Sequence, residues 1–353
     1  MPRSSIDVIG PAFQRMKSCL FTPFNFGQWI RFAIVGFLAG EMGGGDVIRG
    51  RFPGNVPSPE TGGFDIPGLP SGIGAAFLVL AIGIIALAVI TLVIIFMYIS
   101  SRMRFVLFDS VMAGESRIRE FWRRRGEPAY RYFIWQLLFS IGIIVGMLFL
   151  IGIPLALGFG MGWFRNPRSH LLPLVLGGVF LFALFVAAIA VIALVQISVK
   201  DFVVPQMALE GVTVGEGWRR LWAMMKREKG GYAGYFGMKI VLAIGSAIAI
   251  GMAALIVLLI LAIPVGGIGV LAVLRARAIG LTWNPLTIIL VSAAAAIILA
   301  IVFFILALIS VPATVFFPAF SIYFFADRYS NLRQALYPSP PPAPDVGNPL
   351  PVQ

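Results

Sequence analysis

Apolar residues in this chain come in six long stretches separated by five short breaks, and the charges gather almost wholly in the breaks. The longest unbroken stretch, Ile73 to Ser100, contains no charge. About 20 apolar residues in helix cross the hydrocarbon core of a bilayer. The pattern therefore predicts an all-α, polytopic transmembrane bundle with spans at about 26–44, 73–100, 133–157, 172–199, 237–261 and 286–310. The first is the weakest, since only Trp29–Gly40 is strongly apolar and Arg31 must snorkel to the interface. The fifth stays apolar past Pro264 as far as Leu274.

Around the six-helix domain (26–317) the pattern sets an amphipathic interfacial segment (1–25), a second interfacial segment (318–337) and a disordered Pro-rich tail (338–353) of polyproline type. Between the first two spans, Asp46 to Gly72 is rich in Gly and Pro and reads as an extended linker.

The breaks have a pattern of their own. Ile6, Ile9, Phe13, Met16 and Leu20 recur at helical spacing, as do Val214, Trp218, Leu221, Trp222 and Met225. Thr213 and Glu216 have capping-box spacing at the start of the second stripe. Ile118, Phe121 and Trp122 sit among Arg117, Arg119, Arg123, Arg124 and Arg125. An apolar, aromatic face flanked by Arg and Lys suits a helix lying in the headgroup layer. This makes Arg117, Arg119, Trp122, Arg123, Arg124, Arg125, Trp218, Arg219 and Arg220 candidate contacts to lipid headgroups. The plainer reading is that these are topology-setting loops with interfacial anchors.

The chain also repeats itself. Phe105-Val106-Leu107, Gly114, Trp122-Arg123-Arg124, Tyr130, Phe133 and Ile153-Pro154 are followed by Phe202-Val203-Val204, Gly211, Trp218-Arg219-Arg220, Tyr232, Phe236 and Ile263-Pro264. The unit is helix, basic amphipathic segment, helix. Both copies cross in the same sense, which makes the repeat a parallel one. The two ends of the chain could supply a third copy in two halves, giving three helix pairs about a pseudo-threefold axis. Twofold and threefold versions both stand at this point.

Composition sharpens the picture. Charged residues are 12% of the chain and hydrophobic ones 59%, against about 25% charged in soluble domains. Of the 27 Lys and Arg residues, 21 fall on the side that carries both termini and six on the other. Basic loops stay in the cytoplasm, so the chain is expected in the cytoplasmic or inner membrane with both termini on the cytoplasmic side. A net charge of +12 on so apolar a chain points to anionic lipid headgroups of the cytoplasmic leaflet and away from nucleic acid.

Candidate chemistry is sparse. Asp109, Asp201 and Asp327 lie at helix ends with Arg104, Lys200 and Arg328 nearby, which suggests interfacial ion pairs. Glu41 is expected at the external end of the first helix with Asp46 close by, too few oxygen ligands for a hard cation. Gln136, Gln196 and Ser246 within spans are expected to hydrogen-bond between helices. His170 stands in an external turn without nucleophile or acid partners. One cysteine, Cys19, and one histidine exclude an intrachain disulfide framework, a Cys-based metal cluster and multi-His metal sites. No catalytic or nucleotide-binding motif is present, so no enzyme activity, cofactor or metal is expected.

The segments PFNFGQWIRFAIVGFLAG from Pro23 and DFVVPQMALEGVTVGEGWRRLW from Asp201 resemble an uncharacterised prokaryotic family of polytopic membrane proteins. That family is similar to the six-helix membrane domain fused to some glycerophosphodiester phosphodiesterases. No soluble barrel sequence follows Pro338, so the resemblance implies topology and no catalytic residues. The expected role is a non-enzymatic scaffold or lipid-interacting membrane component. The alternative is a transporter or channel for an apolar or lipid-like substrate.

Overall fold

The computed structural model describes residues 3–41, 71–164, 167–278 and 285–338. Among these the protein is all helix, with no strand. The order is α1 (Ile9–Leu20), α2 (Phe26–Ala39), α3 (Ser71–Ala113), α4 (Ile118–Arg124), α5 (Gly126–Gly160), α6 (Leu171–Ser198), a π-helical turn (Val199–Val203), α7 (Val204–Glu210), α8 (Val214–Arg227), α9 (Lys229–Ala278), α10 (Pro285–Ala326) and α11 (Ser330–Leu336).

Five of the six expected spans are long apolar helices: α3, α5, the α6–π–α7 rod, α9 and α10. The first is not. Helix α2 has 14 residues, about 21 Å, against roughly 30 Å of hydrocarbon. It ends at Gly40, which adopts the left-handed conformation (φ 75°). The Gly40 N–H reaches the Phe37 carbonyl and the Glu41 N–H reaches Gly36, a glycine stop signal at the helix end. Residues 42–44 of the expected span, most of the linker (46–70) and the tail from 339 lie outside the described residues.

The long helices do not stop at the ends of the apolar stretches. Helix α3 passes through Ser100 to Ala113, α9 begins at Lys229 and continues through Pro264, and α10 runs on to Ala326. The edge of the hydrocarbon is not a helix breaker, and nothing in Ser101–Val111 breaks one. These continuations form the core. Phe105, Tyr132, Phe202, Tyr232, Tyr235, Phe320, Phe324 and Phe325 are buried there, with edge-on and tilted ring contacts such as Phe202–Tyr235 at 5.0 Å. Residues 318–326, expected in an interfacial segment, are instead the end of α10 and lie in this core, and α11 follows them.

The apolar arms are bare. The most apolar stretch of each of the five holds no buried residue. In α3 the exposed run ends at Phe96 and, among the described side chains, Met97 is the first buried one. Residues 77–96 therefore form an arm of about 30 Å, the thickness of the hydrocarbon core. The molecule is a packed polar end from which lipid-length arms extend.

Candidate functional site

The most concentrated chemistry lies where the arms enter the core. A cavity of about 30 Å³ is lined there by Glu41, Arg104, Lys200, Asp201 and Lys239, with Leu107, Phe317, Pro318 and Ser321 among its other walls. That volume holds about two waters. Four of the elements that meet at it bring the charged groups. Arg104 stands about two turns past Met97 on α3, and Glu41 follows the Gly40 stop of α2. Lys200 and Asp201 are on the π-turn, and Lys239 is one turn beyond the buried Tyr235 of α9.

The π-turn has a local cause. Pro205 has no N–H to give to the Asp201 carbonyl four residues back, and its ring crowds that carbonyl. The backbone widens instead, and the Val204 N–H bonds the Val199 carbonyl five residues back. Single π-turns of this kind recur at functional sites.

The contacts in the cluster are ionic and short-range. Lys239 Nζ lies 2.5 Å from Asp201 Oδ2, and the Tyr235 hydroxyl donates to the same oxygen at 2.8 Å. Tyr235 and Lys239 are four apart and share a helix face. Glu41 Oε1 is 3.5 Å from Arg104 and 3.9 Å from Lys200. Arg104 also donates to the Ala39 carbonyl at 2.9 Å. Burial pushes the Glu41 carboxyl up, but Lys200, Arg104 and Lys239 together hold it below the usual carboxylate range.

The sequence places Glu41 at the far end of α2 from Arg104 and Lys200; in the structure it sits beside them, because the helix stops a third short of a crossing. Asp46 lies outside the described residues. The glycine at position 40, one residue before Glu41, was the signal that could have placed it.

The three aspartates expected in ion pairs all have cationic partners, though not the nearest in sequence. Arg125 makes a fork to Asp109, at 2.8 and 2.9 Å, and also donates to the Ala208 carbonyl. Arg104, expected near Asp109, turns to Glu41. Asp201 takes Lys239. Asp327 takes Arg3 and Arg333, while Arg328 forks to Glu228 at 2.9 and 2.6 Å and lies 3.8 Å over the Phe324 ring.

The candidate headgroup residues separate into two sets. Arg117, Arg119, Arg123, Arg124 and Arg219 are exposed. Arg125 is drawn into the core by Asp109, and Arg220 is tied to Glu210 and Glu216 at 2.5 and 2.6 Å. Trp122 and Trp218 are half-buried against the core, and Arg102 stacks 4.6 Å over the Trp122 ring. Trp222, by contrast, is exposed, with Lys226 over its ring. On α8, Val214 and Leu221 are buried. Thr213 caps its first turn by accepting from the Glu216 N–H at 3.3 Å. On α1 the buried face is Val8, Ala12, Met16 and Cys19. Ile6 and Phe13 of the expected stripe are exposed, because the face that α10 covers is rotated from it.

Ser101 donates to Gln136 at 3.0 Å, a bond between α3 and α5, whereas Ser246 bonds within its own helix. His170 ends a short 3₁₀ turn near the Trp163 ring. Burial raises the Cys19 thiol above its ordinary value. Among the described residues no three His, Cys, Asp or Glu side chains stand together as a metal site.

Compared with known proteins, residues 3–335 match a family described as a family of unknown function, DUF7544. The chain belongs to that family. No curated protein and no solved structure matches this DUF7544 chain, and the finer likeness to phosphodiesterase-fused membrane domains receives no support from these comparisons.

Proposed function

We propose that this DUF7544 protein is a non-catalytic component of a prokaryotic cytoplasmic membrane whose basic end holds the acidic surface of the cytoplasmic leaflet. The observation that carries this reading is the placement of exposed Arg119, Arg123 and Arg124 on α4 and Arg219 on α8, on the packed end from which the bare arms leave. Each such residue near an anionic leaflet contributes on the order of 1 kcal/mol. Arg102, Tyr98 and Trp122 form a cation–aromatic group at the foot of α3, as suits an interface. The 21-to-6 distribution of basic residues supports both termini being cytoplasmic.

An internal duplication underlies this arrangement. Gly114 and Gly211 both end helices in the left-handed conformation, at φ 81° and 68°. Phe105 meets Tyr132 much as Phe202 meets Tyr235. The order α3–α4–α5 parallels α6–α7–α8–α9. Helices α10 and α11 followed by α1 and α2 offer the third unit.

Transport of an apolar or lipid-like molecule is the second reading, favoured by the uncovered apolar faces of the arms. The aromatic core and the small size of the cavity favour the first.

Tryptophan quenching tests the first reading. In bilayers that mix brominated acidic with zwitterionic phospholipid, the acidic lipid is expected to quench the full chain more strongly. Replacing Arg119, Arg123, Arg124 and Arg219 with Gln should abolish that preference. Equal quenching of both proteins by both lipids would sink the reading.

A further inference from the structure

We propose that the cavity ringed by Arg104, Lys200 and Lys239 binds one phosphate group, carried by the headgroup of an acidic phospholipid. This rests on the membrane-surface reading and names the place where a single lipid is held.

Three cations from three separate elements converge on one cavity. An Arg fork with two ammonium groups is a donor set suited to phosphate oxygens. Glu41 meets Arg104 and Lys200 at 3.5 and 3.9 Å, beyond the 2.7–2.9 Å of a tight charge-assisted hydrogen bond. Neither contact with Glu41 is a short one, and a phosphate oxygen in the cavity would add to the contacts that Arg104, bonded to the Ala39 carbonyl, and Lys200 already make. Phosphate oxygens would replace the roughly two waters that the cavity has room for.

Depth selects the lipid over a free anion. Arg104 lies about 10 Å along α3 from the end of the exposed arm, within reach of the headgroup layer. Leu107, Phe108, Phe317, Pro318 and Ile322 supply apolar wall beside the charges, and the arms above give acyl chains an apolar surface of matching length. Lys200 and Asp201, consecutive on the π-turn, both line the cavity.

Native mass spectrometry of the full chain released from mild detergent tests the proposal, with phosphatidylglycerol as probe. The expected result is one phosphatidylglycerol per chain that survives detergent exchange. The Asp201→Asn/Lys239→Gln double variant removes a cation together with its partner carboxylate, and should retain the lipid about tenfold less. Lys239→Arg should retain it. If the double variant does not fold, Lys200→Gln is read in its place, since it leaves the partners of Asp201 intact. A wild-type chain that carries no lipid, or charge-removing variants that carry as much as wild type, would overturn the proposal. If inorganic phosphate raises the melting temperature of the delipidated chain while phosphatidylglycerol is not retained, the site takes a free anion and the lipid assignment falls. The Arg119/Arg123/Arg124/Arg219→Gln variant should keep this one lipid whatever its effect on leaflet preference, so the two readings fail separately.

Discussion

At Gly36 the chain has no room for a side chain. A Cβ built there would stand 2.1 Å from the Thr314 methyl of α10. Gly36→Val should lower the melting temperature in detergent, by the equivalent of about 1–3 kcal/mol. Gly10→Ala, inside α1 with nothing within 4 Å, should not lower it. The Asp109–Arg125 fork makes a second prediction. Both side chains are mostly buried, so Asp109→Asn strands a cation and should cost about 3–5 kcal/mol, with partial recovery in the Asp109→Asn/Arg125→Gln double variant by thermal melt. Which residues would be charged and near helix ends was legible from their positions. Which partner each would take was not, because Arg125 reaches Asp109 only after α4 folds the chain back on α3, and no sequence spacing encodes that return. Glu41 was misplaced for a similar reason, since its neighbours come from α3, the π-turn and α9.

Elements were easier to see than their ends. Amphipathic spacing and the Thr213 cap located α8, and Thr213→Ala should cost about 1 kcal/mol and speed hydrogen exchange in the first turn of that helix. An unchanged exchange rate over residues 214–218 would remove the cap from the account. Hydropathy located the arms but stopped at the edge of the oil. It treated Phe105–Val111 and Phe202–Ala208 as interfacial, although they are buried on every side. A helix buried all round has no amphipathic stripe to announce it, and next to a longer apolar run it reads as a fringe. The π-turn was legible in principle from Pro205, whose missing N–H disturbs the turn before it.

Across the whole molecule, all short basic helices and the chain's described ends belong to the packed end. In a Cys19→Ala background, Arg119→Cys and Arg219→Cys should both react with a membrane-impermeant maleimide added from the cytoplasmic side, and His170→Cys only from the other. Labelling of Arg119→Cys and Arg219→Cys from opposite sides would refute the topology. Hydropathy predicted an all-helical membrane protein correctly, and five of its six expected spans are long apolar helices among the described residues, but apolar character alone does not reveal that α2 stops after 14 residues. The 43-residue α3 has a last consequence. It has no proline and joins lipid-facing arm to core as one rod of about 65 Å. Pivoted at Met97, a lean of about 10° would carry its Ala113 end some ~4 Å. A thinner bilayer that makes the arms lean therefore acts on the core as a lever, and exchange of the 100–113 amides should differ between short-chain and long-chain lipids.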